Sequence, residues 1–192
     1  PKDVGRSYEA IIRVNSQSGK GGVAYIMEAE FGIEMPRDLQ IEFSKVIQVI
    51  SEDTGKEITP SRIWQAFKEN YLDTTEPFEM VDYRINSTAE SGEIVMCTAT
   101  VRAYDEVRDI VGRGDGPIDA FFSALKSQCG IEATFLDYAQ HAMGAGSDVE
   151  AVCFIKLAGE GDQTAFGVGV HPNTNTASLK AIVSAVNRLV TQ

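Results

Sequence analysis

The sequence has no long apolar run and no basic cluster. No apolar stretch approaches the roughly 20 residues that a membrane-spanning helix needs, and no signal peptide is visible. The 192 residues carry a formal net charge of −11. Nucleic acid and anionic membranes attract positive charge, so this balance argues against either as a partner.

Cysteines are few and lie far apart. Cys97, Cys129 and Cys153 each stand among apolar residues. Metal-binding cysteines usually come in close pairs, so this spacing favours small core residues over a metal site. Unpaired cysteines fit a reducing compartment, and we expect a cytoplasmic protein.

Catalytic motifs are also missing. The two histidines, His141 and His171, belong to no Ser/His/Asp arrangement or metal-ligand spacing, so we predict a structural or surface role for both. No dinucleotide motif or carboxylate pair appears, and residues 18–22 lack the spacing of a phosphate-binding loop. The chain starts at Pro1 and enters a strand-like run within ten residues. We therefore expect a fragment of a longer protein that is not catalytic by itself.

Residues 1–75 read as a small subdomain that is mostly helical. A strand is predicted over residues 8–14 and a helix over residues 23–30. Asp38 is predicted to cap a second helix, and Thr59 precedes a proline at the start of a third. Residues 73–77 are the best candidate for a linker to the second half of the chain.

After this linker the apolar period changes from helical to two. The predicted strands lie at residues 81–86, 95–101, 107–111, 133–142, 151–157 and 165–170, with a helix after the third strand and another after the sixth. The order of three strands followed by a helix occurs twice, which predicts an α+β fold. We expect a small helical or mixed linker subdomain over residues 1–75 and a pseudo-symmetric domain of two βββα units over residues 76–192.

A glycine-rich turn at residues 112–117 opens the first of these helices, and an altered copy at residues 167–172 opens the second. Free backbone N–H groups at a helix start favour a bound carboxylate. A tight turn with Asp115 as helix cap explains the first copy equally well. The functional alternative is a site for a small acid or amino acid.

Several longer motifs resemble one enzyme family. Residues 4–9, 13–25 and 39–43 resemble the linker subdomain of 2-isopropylmalate synthases, and residues 114–117, 136–138, 141–146 and 176–181 resemble their C-terminal leucine-sensing domain, most of all in actinobacterial forms. The resemblance covers essentially the whole chain.

The resemblance implies a fold and a function. The family joins acetyl-CoA to 2-oxoisovalerate in the first committed step of leucine biosynthesis, on a (β/α)₈ barrel that binds a divalent metal. Nothing in this chain resembles the metal ligands of that barrel, so the resemblance implies a part without cofactor or catalysis. It implies a homodimeric regulatory domain of two βββα units that binds L-leucine and feedback-inhibits the acyltransferase.

In the family, leucine lies at the interface of the regulatory dimer. Position by position, the resemblance implies that the following residues form the leucine site: Gly114, Asp115, Gly116, Ile118, Asp119, Phe135, Tyr138, Ala142, Val149, Ala151, Val170 and Pro172. Asp115 stands where close relatives often carry asparagine, and Asp119 adds another acid. These acids either weaken binding of the leucine carboxylate or help to bind its ammonium group.

Two other functions remain open. One is the regulatory domain of a citramalate-type synthase, which senses isoleucine. The other is a dimerisation module whose glycine turns bind nothing. Binding measurements with leucine, isoleucine and valine distinguish all three.

Overall fold

The computed structural model describes residues 19–55, 57–88 and 94–192, so the predicted strand at residues 8–14 lies outside the described part. The first described elements are three helices, α1 (Gly19–Phe31), α2 (Arg37–Thr54) and α3 (Pro60–Phe67), and α3 continues into a π-helical turn, Lys68–Leu72. The first unit then comprises β1 (Phe78–Thr88), β2 (Ile94–Ala103), β3 (Glu106–Gly114) and α4 (Pro117–Cys129). The second comprises β4 (Thr134–Met143), a short 3₁₀ turn (Gly146–Asp148), β5 (Glu150–Ala158), β6 (Thr164–His171) and α5 (Thr174–Val190).

The six strands form two antiparallel sheets, ordered β1-β2-β3 and β4-β5-β6. Helix α4 packs on the first sheet and α5 on the second, and the two helices touch each other. The predicted α+β fold of two βββα units is confirmed. In the described part of the chain, no helix is long and apolar enough to cross a membrane.

The two units share the same order of elements, and each has one bulge in its first strand. Strand β1 has a bulge at Val81, and β4 has one at Leu136. Tyr83 and Tyr138 lie at the same distance after these bulges. The period-two pattern predicts Val81 on the face of Tyr83, but the bulge turns it outward and leaves it 53% exposed.

Glycines allow the backbones of strand and helix to touch in both units. A Cβ atom on Gly112 would lie 2.1 Å from the carbonyl oxygen of Ala120, and one on Gly169 would lie 1.9 Å from that of Ala177. The predicted glycine turn is therefore largely strand: Gly112 and Gly114 belong to β3. The glycines are there because a helix backbone lies against them.

The cysteines follow the same repeat. Cys97 in β2 faces Gly112 across the ladder, and Cys153 in β5 faces Gly169. Both are fully buried, Cys129 is half-buried, and all three are free thiols. Burial raises the pKa of the Cys97 thiol to about 11, so this thiol stays neutral. The burial of Cys97 and Cys153 in the core fits small apolar residues, as predicted.

The starts of two linker helices test the predictions. Helix α3 begins at Pro60, which confirms the predicted helix start, and the Thr59 side chain caps it by accepting a hydrogen bond from the Arg62 amide at 3.3 Å. The predicted Asp38 cap is wrong, because α2 begins at Arg37 after Pro36 and has no side-chain cap. Asp38 instead accepts a hydrogen bond from Lys156 of β5 at 2.9 Å, and this contact lowers the pKa of its carboxyl group.

The linker helices pack on the outer face of the second sheet. Val152, Phe154, Phe166 and Val168 of this sheet share one apolar core with the buried side chains of α1 to α3. After the linker helices, the buried Asn187 side chain of α5 holds the chain at the start of β1: it donates to the carbonyl oxygens of Thr74 and Phe78, at 2.8 Å each, and accepts from the Phe78 amide. The boundary at residues 75/76 stays a prediction, since a common core holds both sides together.

Candidate functional site

A cavity of about 290 Å³ opens at one end of the second sheet. It is lined by Gln140, His141, Ala142, Val149, Glu150, Ala151, Pro172 and Thr174. The antiparallel register creates it, because Ala142 pairs with Ala151 and Ala151 pairs with His171 across the three strands. Its volume is close to the lower limit of small-molecule sites, about 300 Å³.

Four residues of the sequence-predicted site meet in this cavity: Ala142, Val149, Ala151 and Pro172. The connection from β4 to β5 makes this possible by turning sharply at Gly144 and Gly146, with φ of +92° and +70°. The wall they form is apolar and made of small or branched side chains. It suits a short aliphatic group.

The start of α5 adds polar groups at the rim. The Asn173 side chain caps the helix by accepting from the Thr176 amide at 3.1 Å, and the Asn173 amide donates to Nδ1 of His171 at 2.9 Å. Among the described residues, no acceptor contacts the amides of Thr174 and Asn175. Free amides at the positive end of a 17-residue helix make a favourable carboxylate site.

Tyr138 and Phe135 lie deeper, where the two units meet. The Tyr138 hydroxyl donates to Oε1 of Gln140 at 2.8 Å and lies 3.3 Å from Oγ of Ser178. Burial raises the pKa of Tyr138, so the hydroxyl stays a donor at neutral pH. Since Gln140 lines the cavity, Tyr138 supports the wall from behind. Phe135 packs edge-on against Phe122 of α4, at 6.0 Å between centroids.

The start of α4 is arranged differently from the predicted one. Its N-cap residue is Gly116, without a side-chain bond, so the alternative in which Asp115 caps the helix is wrong. The Asp119 carboxylate folds back and accepts from the Asp115 amide at 3.1 Å. The helix start thus already holds a carboxylate of its own.

Within one chain, these residues do not meet the cavity near α5. Asp119 lines a separate cavity of about 680 Å³, with Lys126 and the turn at residues 158–160. Ile118 packs with Phe135 and Tyr138 against the core shared by the two units. Gly114, Asp115 and Gly116 stay at the turn between β3 and α4.

Val170 lies on the opposite face of β6. It pairs with Val152 and packs against the core under the linker helices. Its side chain therefore points away from the face on which Gly169 meets α5.

Sequence reasoning missed four lining residues: Gln140, His141, Glu150 and Thr174. His141 and Glu150 are sequence neighbours of predicted residues, Gln140 lies two positions from both Tyr138 and Ala142, and Thr174 follows the cap of α5. For His141, the sequence predicts only a structural or surface role. No group of three or more His, Cys, Asp or Glu side chains in residues 19–55, 57–88 and 94–192 could hold a metal ion.

Comparisons with known proteins give a consistent result. The family model described as the LeuA allosteric (dimerisation) domain matches residues 57–190, and one described as alpha-isopropylmalate synthase, post-catalytic domain-like, matches residues 1–28. The chain is 52% identical over 188 residues to a 2-isopropylmalate synthase of Mycobacterium leprae, and 49% identical over 189 residues to one of Rhodospirillum rubrum. Each alignment covers 98% of this chain but 31% and 34% of the relative, so the chain spans about a third of their length.

Proposed function

Because the chain belongs to the LeuA allosteric (dimerisation) domain family, we propose that it is the regulatory part of a 2-isopropylmalate synthase. In this proposal it binds L-leucine at an interface between two copies of the chain. Bound leucine then inhibits the condensation of acetyl-CoA with 2-oxoisovalerate. The relatives that carry this enzyme name align over nearly the whole chain.

The observation that carries the proposal is the cavity of about 290 Å³ at the start of α5. Its chemistry matches an apolar amino acid at three points. The amides of Thr174 and Asn175 suit the carboxylate, and the Glu150 carboxylate at the rim suits the ammonium group. The apolar wall of Ala142, Val149 and Ala151 suits the isobutyl side chain.

In this proposal, a second copy of the chain covers the open side of the cavity. Ala142 and Pro172 are exposed in the single chain, and Val149 is 38% exposed. Burying them against a partner removes apolar surface from water together with the ligand. Within one chain, the start of α4 lies outside this cavity. In the proposed dimer, the start of α4 from the second copy can contact the ligand.

The test is inhibition of the synthase that carries this chain. We expect L-leucine to lower the condensation rate at smaller concentrations than isoleucine or valine do. Leucine should also raise the melting temperature, because it binds only the folded protein. Stronger inhibition by isoleucine would favour a citramalate-type sensor. A rate unaffected by all three amino acids would leave a dimerisation module without a ligand.

A further inference from the structure

The end of β4 touches both the cavity and the linker helices. Ala142 lines the cavity. On either side of it, His141 accepts a hydrogen bond at Nε2 from the Glu34 amide at 3.1 Å, and the Met143 side chain lies against Gly32. Gly32 and Glu34 belong to the turn between α1 and α2. Three consecutive residues thus connect the wall of the cavity to this turn.

The hydrogen bonds of His141 define its tautomer. A backbone amide can only donate, so Nε2 carries a lone pair and the proton of the neutral ring is on Nδ1. Nδ1 lies 3.0 Å from the carbonyl oxygen of Ala142 and donates to it. The ring also packs on Phe154, at 5.7 Å between centroids. One imidazole therefore links the Glu34 amide to the backbone of a residue in the cavity wall.

The turn that donates a hydrogen bond to His141 is itself hydrogen-bonded to the last residues of α1. Gly32 has a φ of +68°, and the amides of Gly32 and Ile33 donate to the carbonyl oxygens of Glu28 and Met27, at 3.0 Å each. The bond from Gly32 to Glu28, with Gly32 in the left-handed region, is an αL-type helix end. Met27 and Ile33 are fully buried. A displacement of the turn therefore moves α1 with it.

We propose that His141 is a positioning residue that couples the cavity to α1. The inference rests on the proposed function, since it names the route by which a bound effector acts. A ligand that shifts Ala142 also shifts the acceptor of Nδ1, and through Nε2 it shifts the turn after α1. Most of α1 falls in the segment that matches the post-catalytic domain model, residues 1–28. It is the described element closest in sequence to the catalytic part of the relatives.

The test compares His141→Gln with His141→Asn in the full-length synthase. A glutamine amide oxygen can take the place of Nε2 and accept from the Glu34 amide, whereas the shorter asparagine reaches only the place of Nδ1. Leucine affinity is measured by calorimetry and inhibition at saturating leucine by enzyme assay. Because His141 also lines the cavity, inhibition is compared at leucine concentrations that saturate each variant. We expect only the asparagine variant to lose about half or more of its maximal inhibition.

A merely structural role would lower the melting temperature without separating binding from inhibition. Equal inhibition in the two variants, whether full or absent, overturns the inference. So does inhibition in the asparagine variant that more leucine restores in full, because His141 would then act on leucine affinity alone. A wild-type enzyme that binds no leucine overturns the proposed function, and the inference with it. Hydrogen exchange of the α1 amides is a second readout: leucine should change it in the wild type and not in the asparagine variant.

Discussion

Replacing Gly169 with alanine is expected to destabilise the protein by about 3 kcal/mol, at the upper end of the cost of overpacking. The added Cβ would lie 1.9 Å from the carbonyl oxygen of Ala177 and 2.7 Å from the amide nitrogen of Ala181. Both atoms belong to the backbone of α5, so no side chain can turn away to make room. Either the helix must move off the sheet or β6 must bend. Denaturant unfolding measures the loss.

Gly21→Ala is the matched control for this substitution. Gly21 lies in α1, and a Cβ there meets no atom within 4 Å. Alanine is the better helix former by about 1 kcal/mol, so this variant should be slightly more stable than the wild type. A Gly169→Ala protein as stable as the Gly21→Ala protein would contradict the close approach of β6 and α5.

Replacing Ala142 with valine is expected to weaken leucine binding by about 1–3 kcal/mol, or about 10–200-fold. The two added methyl groups enter a cavity of about 290 Å³ beside Ala151. Stability should change little, because Ala142 is exposed in the chain and valine suits a strand. Calorimetry gives the affinity, and thermal unfolding without ligand gives the stability.

The internal repeat supplies the control for this variant. Ser87 of β1 pairs with Val95 as Ala142 of β4 pairs with Ala151, and it is exposed as well. Ser87→Val should leave leucine affinity unchanged, since Ser87 does not line the cavity. Unchanged affinity in a normally folded Ala142→Val protein would remove Ala142 from the site. A large fall in melting temperature would place it in the core instead.

A substitution at Gly114 cannot separate binding from folding in the same way. A Cβ on Gly114 would lie 2.3 Å from Oδ2 of Asp119 and 2.6 Å from the amide nitrogen of Ala120. An aspartate there would crowd the start of α4 and place a second carboxylate beside Asp119. Loss of leucine inhibition in such a variant would have two causes at once.

The order of the elements could be predicted because apolar periodicity and helix caps are local signals. The period change after Pro77 and the cap at Thr59 depend on residues a few positions apart. The role of Asp38 could not be predicted in this way, because its partner Lys156 is 118 residues distant in sequence. Glycine signals are ambiguous for a related reason. Gly112 and Gly169 resemble turn residues in sequence, but the cause of their presence is a helix that packs on them.

The residues of the candidate site could also be predicted only in part, because some of them depend on contacts between distant segments. The family resemblance points to Ala142, Val149, Ala151 and Pro172, and strand pairing brings them into one cavity. Thr174 and Glu150 carry no motif of their own, and only the register places them at its rim. The side-chain face of Val170 depends on its pairing with Val152. The α4 residues need a contact beyond the single chain to join the cavity.

A calorimetric titration of the protein with L-leucine, beside isoleucine and valine, tests the central claim most directly. Saturable binding of leucine, tighter than that of the other two, is the predicted result. It should weaken in Ala142→Val and persist in Ser87→Val. A folded protein that gives no leucine binding under conditions where it is dimeric would contradict the claim that this domain is a leucine sensor.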